Sequence, residues 1–288
     1  MKQLIFILPF LLFACAGSEE QEASTTTNDT EIDSDSLITE DGVSEFLWNF
    51  EGEFTETQQD TLKAWQLEMQ KAVYYTLGDY PFDINVFFHE STRKTSSVSF
   101  GHTTRKELVE VHYYVNPNAS LDALMGDWTS PHELSHLSAP FFGKSRKWLG
   151  EGYATYLSRR IMVDMGIFTE EEFEEMYSRK INDTREFYTD TEKSFSEVSA
   201  NLFEEYHYGT VYWGGAGYFY IADQLLQEKH DMRFTEVVQK YQTCCRLEDK
   251  NFGDILTSWD SIIDDTLFSD LLAKYEDGPA VKVWDLFD

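Results

Sequence analysis

The pentapeptide His132-Glu133-Leu134-Ser135-His136 constrains this chain more than any other segment. On a helix, residues at positions i and i+4 lie on one face, about one turn apart along the axis. Two imidazoles at that spacing can bind one zinc ion, and the glutamate between them can accept a proton from zinc-bound water. A histidine pair on a helix with no metal is the alternative, because so short a motif also occurs by chance.

A third ligand is expected downstream, because catalytic zinc sites use three protein ligands and keep a fourth position open. Glu151, within the segment Trp148–Tyr156, is the candidate. A proline and a glycine precede this segment and favour a turn, so a second helix beginning there can run back against the first. Small residues at Gly150, Gly152 and Ala154 would permit close approach of the two helices. Taken alone, Glu151 would be interpreted as a solvated surface acid.

The start of the first helix is open to two interpretations. Ser130 and Pro131 suit an N-cap and a first helical position. Alternatively, Pro131 kinks a longer helix that begins near Leu121.

Helical and strand patterns precede the motif. Apolar residues recur at helical spacing from Thr57 to Leu77, and Gly78 is placed to end that helix. Strands are expected at Phe82–His89, Ser96–His102 and Leu108–Val115. The last of these could pair along its edge with an extended peptide.

From Ser120 onward the pattern is helical almost to the C-terminus. Thr169 and Glu172 have capping-box spacing, and the apolar segment Tyr212–Gln227 predicts a buried helix. Strands followed by helices indicate an α+β fold, with a small N-terminal sheet and a mostly helical C-terminal part. We expect one domain, residues 46–288.

The N-terminus has the pattern of a signal peptide, residues 1–14. Lys2 precedes an apolar run, Leu4–Phe13, that is too short to span a bilayer. The run ends in Leu12–Cys15, which resembles a bacterial lipobox and implies lipidation of Cys15. An ordinary secretory signal with an incidental cysteine is the alternative.

Residues 15–45 contain no lysine or arginine and few apolar residues, so we expect a disordered acidic tether. The net charge of −29 argues against nucleic-acid binding and means that membrane contact requires a covalent anchor. The predicted location is the bacterial outer membrane, where an acidic start after Cys15 resembles a surface-export signal. For Cys244 and Cys245, we expect small buried hydrophobic side chains rather than a disulfide, because adjacent cysteines rarely have suitable geometry.

The motifs H-E-L-S-H and W-L-G-E-G-Y-A-T-Y resemble the gluzincin metallopeptidases, in particular the catalytic domain of the glycyl aminopeptidase family. The resemblance implies a zincin-like catalytic domain that acts on a peptide or protein. It implies one Zn²⁺ per chain held by His132, His136 and Glu151, with Glu133 as the catalytic base.

Tyr212 begins Y-W-G-G-A, which is similar to the family's Y-x-K-G-A-like segment. The resemblance implies that Tyr212 donates a hydrogen bond to the oxyanion. A packed aromatic is the alternative for Tyr212, and His207 is a second candidate for the role. Gly214 replaces the lysine of that segment, and Thr155 stands where thermolysin-like enzymes place an acid. The family's amine-binding glutamate motif has no clear counterpart after Gly101, which leaves endo- versus exopeptidase action open.

The remaining histidines, His89, His102, His112 and His230, are expected to be ordinary surface or core residues. The predicted function is zinc-dependent peptide-bond hydrolysis by a monomeric, lipid-anchored envelope protein. A non-catalytic surface lipoprotein that binds a peptide, glycan or partner protein is the alternative, and a zinc hydrolase with another substrate is a third possibility.

Overall fold

Helix α1, Glu56–Leu77, supports one face of the sheet and begins at a capping box. The Thr55 side chain accepts a hydrogen bond from the Gln58 amide, and the Gln58 side chain accepts one from the Thr55 amide. Gly78 ends the helix with a φ of 82°, a conformation that favours glycine. The predicted helix is therefore confirmed.

The described residues form a sheet of five strands: β1 Leu37–Ile38, β2 Glu45–Glu51, β3 Ile84–Glu90, β4 Val98–Arg105 and β5 Val109–Val115. Their order is β1-β2-β3-β5-β4. Strands β2, β3 and β5 are parallel to one another, whereas β1 and β4 run antiparallel to their neighbours. The expectation that β5 offers a free edge is wrong, because β5 is paired on both sides. Among the described strands, β4 forms that edge of the sheet.

Helices follow the sheet: α2 Leu121–Met125, α3 Thr129–Leu137, α4 Lys147–Asp164, α5 Glu170–Arg185, α6 Phe195–Glu204, α7 Tyr208–His230, α8 Phe234–Cys244, α9 Phe252–Ile263 and α10 Leu267–Glu276. Two short 3-10 helices lie at Lys144–Arg146 and Ala280–Leu286. The α+β prediction, with a small N-terminal sheet and a mostly helical C-terminal part, is confirmed. So is the capping box at Thr169 and Glu172.

Helix α4 also approaches α7 closely, through Gly152, one of the small residues expected to permit close approach to α3. A Cβ atom on Gly152 would lie 2.1 Å from the backbone carbon of Gly215. A Cβ on Gly215 would lie 2.0 Å from the Trp148 carbonyl oxygen. Only glycine fits at either position, so the two backbones are in direct contact.

The expectation for the two adjacent cysteines is also wrong. Cys244 and Cys245 form a disulfide, and neither side chain is fully buried. Helix α8 ends at Cys244, and Cys245 leaves the helical conformation with a φ of −134°. This change of backbone direction allows the two sulfur atoms to meet.

The structure, a computed structural model, describes residues 37–38, 44–93, 95–105 and 108–287, all within one compact unit, Ile32–Asp288. The predicted signal peptide, Cys15 and most of the predicted tether lie outside the described residues. Within the predicted tether, Leu37–Ile38 pairs with the start of β2. No helix of the described part of the chain is both long and apolar enough to cross a membrane.

Candidate metal centre

Helix α3 carries the histidine pair and begins one residue before the predicted cap. The Asp127 carboxylate accepts a hydrogen bond of 2.9 Å from the Thr129 amide, which satisfies one donor of the first turn. Ser130 is therefore inside the helix and is buried. Its hydroxyl accepts a 2.9 Å hydrogen bond from the Gln66 side chain of α1. Pro131 follows within the first turn, where its missing amide costs nothing.

The C-terminal end of α3 is held by polar side chains, of which Tyr80 and Arg246 are buried and Arg105 is half-buried. The Tyr80 hydroxyl donates to the Leu134 carbonyl over 2.7 Å. A nitrogen of the Arg105 guanidinium donates to the His136 carbonyl, and the Arg246 Nε donates to the Leu137 carbonyl over 3.0 Å. These contacts stabilise the last turn, where helix carbonyls lack partners and positive charge is favoured.

Three predicted ligands converge between α3 and α4. The Nε2 atoms of His132 and His136 lie 3.3 Å and 3.5 Å from the same Glu151 carboxylate oxygen. One donor atom from each of the three residues lies within 4.8 Å of the others. The imidazole rings are perpendicular, with centroids 4.8 Å apart. Two imidazole nitrogens and one carboxylate oxygen form a donor set that fits zinc.

Burial favours the neutral imidazole of His132, the form that can bind a metal ion. The side chain is 4% exposed, and burial lowers the pKa of His132 to about 4. The imidazole is therefore neutral at pH 7, as metal binding requires. Its Nδ1 atom is buried and has no hydrogen-bond partner among the described residues. Thr155, one turn after Glu151, also has a buried hydroxyl without such a partner.

Glu133 lies beside the ligands under the edge strand β4. A Cβ atom on Gly101 would lie 2.8 Å from the Glu133 Cγ and 2.7 Å from a Thr129 methyl group, so glycine leaves the space that Glu133 occupies. Burial raises the pKa of the Glu133 carboxyl to about 7, although His136 and Arg105 act in the opposite direction. A carboxyl with a pKa near neutrality is suited to both accepting and donating a proton.

Helix α7 brings Tyr212 to the same site. The Tyr212 ring stacks on His132, with centroids 5.9 Å apart and an interplanar angle of 17°. Gly214 is buried, and a Cβ there would lie 3.0 Å from both the Tyr188 hydroxyl and the Phe195 ring, so a lysine would not fit. His207 is exposed at the start of α7, where its ring lies 5.3 Å from Phe187.

A pocket next to the metal centre was not evident from the sequence. It encloses about 380 Å³, including solvent at its mouth. Its walls include two of the candidate ligands, His136 and Glu151, and the side chain of Arg105. Arg105 ends β4 in a polar stretch, and nothing in the local pattern indicated that this strand would meet the end of α3.

Three of the remaining histidines form a separate stack on the opposite, outer face of the sheet. His89 and His112 approach to 2.9 Å through ring nitrogens, and His102 stacks on His112 with centroids 4.6 Å apart. The fourth, His230, lies 2.9 Å from the Asp265 carboxylate. The structure places none of the four among the three candidate ligands.

Comparison with known proteins gives a similarity of fold. No protein-family model matches the chain, and no curated protein matches it. The chain is similar to the crystal structure of an M1 zinc metallopeptidase mutant from Deinococcus radiodurans, bound to a Tyr-Ser-Ala substrate. The sequence identity is 14% and the TM-score is 0.48. The match covers 81% of this chain and 48% of that chain, so this chain spans about half of its length. A similarity of this degree does not assign an activity.

Proposed function

We propose that this protein is a zinc-dependent peptidase. The observation that carries the proposal is the convergence of His132, His136 and Glu151 donor atoms within 4.8 Å. Glu133 lies on the helix that carries both histidines. When bound there, zinc would polarise a carbonyl group and lower the pKa of a water molecule.

The chain supplies the proton transfers and the charge stabilisation. Glu133, whose pKa lies near neutrality, accepts the proton from the attacking water and delivers it to the leaving amine. Tyr212, stacked on His132, donates a hydrogen bond from its phenolic hydroxyl to the oxygen that becomes negatively charged. The extended peptide pairs with β4 rather than β5, because β4 is the edge strand and its Gly101 faces Glu133.

Metal content tests the site directly. Elemental analysis of the chain, without its signal peptide and Cys15, should give about one zinc per molecule. Glu151→Ala should reduce that content sharply, because it removes one of three ligands. Folded protein that stays empty in added zinc would contradict the proposal and favour a non-catalytic binding protein.

Hydrolysis tests the reaction. Wild-type protein should cleave members of a peptide library, and Glu133→Gln should abolish cleavage while zinc content is retained. Undiminished cleavage by Glu133→Gln would rule out the mechanism. Cleavage of other ester or amide substrates alone would indicate a zinc hydrolase of another class.

We also propose that the protein is a monomeric lipoprotein of the bacterial outer membrane, anchored through Cys15. The support is the sequence Leu12–Cys15 and the acidic stretch that follows it. Metabolic labelling with a fatty acid should mark the wild type but not Cys15→Ala, and the variant should leave the membrane fraction. Equal labelling of both proteins would exclude Cys15 as the anchor.

A further inference from the structure

The pocket beside the metal centre has the opposite charge to the rest of the protein. The chain has 52 acidic and 23 basic side chains. Among the described residues, the walls nevertheless hold three cationic residues, Arg105, Arg146 and Lys147, and one acidic residue, the candidate ligand Glu151. A bound cation would occupy that carboxylate, so the pocket would present net positive charge to a substrate.

Two of the three cations already have partners. Arg146 donates two hydrogen bonds, of 2.7 Å and 2.9 Å, to the carboxylate of Glu276. The Lys147 ammonium lies 4.8 Å from the centroid of the Phe203 ring. The Arg146 charge is therefore paired within the protein, whereas Lys147 is exposed and its charge is screened by solvent.

Arg105 differs, because no carboxylate of the described residues forms an ion pair with it. One of its nitrogens donates to the His136 carbonyl, while its Nε atom is buried with no hydrogen-bond partner among the described residues. Arg246 brings a second guanidinium to the same helix end. A helix C-terminus offers only about half a negative charge. The Glu133 carboxylate offsets part of this positive charge from a distance. It forms no hydrogen bond with Arg105 among the described residues, so the buried Nε donor stays unsatisfied, which is costly.

We propose that this pocket binds a carboxylate of the substrate next to the scissile bond, with Arg105 as the residue that selects it. The inference rests on the proposed function, since it names the substrate class of the same site. A planar guanidinium beside the ligands matches a carboxylate in shape and charge. An aspartate or glutamate side chain and a free C-terminus both supply this group. A bound substrate amine would find no counter-charge other than Glu151 on those walls of the pocket that the structure describes.

Binding of matched peptides tests the proposal independently of turnover. The protein is the full chain carrying Glu133→Gln and loaded with zinc, so that peptides bind without being cleaved. One pair of acetylated peptides differs by aspartate or asparagine at the residue beside the central bond. A second pair differs by a free or amidated C-terminus. Titration calorimetry gives an acid-to-amide affinity ratio for each pair, and the pair with the larger ratio identifies the source of the carboxylate.

Two substitutions separate Arg105 from its neighbours. The zinc-loaded Glu133→Gln protein should bind the acidic peptide of one pair about tenfold or more tightly than its amide counterpart, as expected for a charge-assisted hydrogen bond. Arg105→Gln should abolish the preference. Arg146→Gln is the matched control in the same pocket and should keep it, because Glu276 already neutralises that charge. Arg105→Lys retains the charge without the planar fork and should keep part of the preference, which guards against misfolding of Arg105→Gln.

The outcomes separate this proposal from the peptidase proposal. Cleavage of peptides with no preference for acid in either pair would overturn the carboxylate site and leave the peptidase standing. If the preference for the acidic peptide persists in Arg105→Gln, or if none of the four peptides binds, Arg105 is not the residue that selects a substrate carboxylate. An Arg105-dependent preference in a protein whose wild type cleaves nothing would support the carboxylate site and contradict the peptidase.

Discussion

Gly152 of α4 and Gly215 of α7 pack backbone to backbone, directly behind the candidate metal centre. Glu151 precedes the first glycine, and Tyr212 lies one helical turn before the second. The contact therefore fixes the distance between the helix that carries the third ligand and the helix that carries the tyrosine.

Gly152→Ala should destabilise the protein severely. The added methyl group would lie 2.1 Å from backbone atoms that cannot rotate away, so the helices must separate. We expect a loss of at least about 3 kcal/mol in the free energy of unfolding, at the upper end of overpacking effects. Urea unfolding measures this loss.

Gly209→Ala is the control for this substitution in the same helix pair. Gly209 is exposed in the first turn of α7, and no atom lies within 4 Å of the position that an added Cβ would take. Alanine should be neutral or stabilise the protein by up to about 1 kcal/mol, because it is the better helix former. Equal stability of Gly152→Ala and Gly209→Ala would show that α4 and α7 are not in close contact.

Gly101→Ala should impair activity more than folding. The methyl group would lie within 3 Å of the Glu133 side chain, which must shift relative to the ligands. A displacement of about 1 Å costs on the order of 100-fold in rate, so we expect a fall in kcat of that size. Steady-state kinetics and zinc content together measure the effect.

The matched control is Gly126→Ala, at the end of α2. Its nearest atom, the Asp122 carbonyl oxygen, would lie 3.7 Å from the new Cβ, an ordinary contact. This variant should keep wild-type kcat. Retention of full activity by Gly101→Ala would mean that Glu133 does not need the space under β4.

The sequence predicted those parts of the site that depend on local spacing. His132, His136 and Glu151 lie on two helices joined by residues 138–146, so their convergence followed from helix geometry and one reversal of the chain. Arg105 reaches the same place through the pairing of β4 with β5 and the packing of the sheet on α3. Contacts of that kind depend on the order of strands in space, which no local pattern contains.

The same limitation of local patterns explains why the wrong strand was expected at the edge of the sheet. The alternation in Leu108–Val115 predicted a strand with two unlike faces, and β5 is such a strand. That strand was expected to pair with a peptide along its edge, whereas β4 pairs back on β5 and takes the edge position among the described strands. For Gly152, the small side chain correctly indicated close packing, but its partner Gly215 lies on a helix far along the chain.

The histidine stack on the outer face should make stability depend on pH. Burial lowers the pKa of His102, and the neighbouring His112 and His89 act in the same direction, against Glu110. Burial also lowers the pKa of His89, although Glu51 opposes it. A group with a lowered pKa binds fewer protons in the folded state than in the unfolded state. Stability from this source is therefore present above the unfolded value near pH 6.5 and is lost as the pH falls below it.

His102→Gln isolates this contribution. As the pH falls from about 7.5 to 5.5, the unfolding free energy of the wild type should decrease relative to that of the variant. Urea unfolding at both pH values measures it, and the difference cancels titration of groups common to both proteins. A difference that does not change with pH would show that His102 titrates normally in the folded state.

Tyr212 and His207 are the two candidates for stabilising the oxyanion, and the structure separates them. Tyr212 stacks on the ligand His132, whereas His207 is exposed beside Phe187. Tyr212→Phe removes only the donor hydroxyl and should lower kcat by about 100-fold or more, as for other oxyanion donors, with KM and zinc content nearly unchanged. His207→Ala should keep wild-type kcat. The reverse pattern would transfer the role to His207, because loss of the Tyr212 hydroxyl would then affect neither the transition state nor the metal.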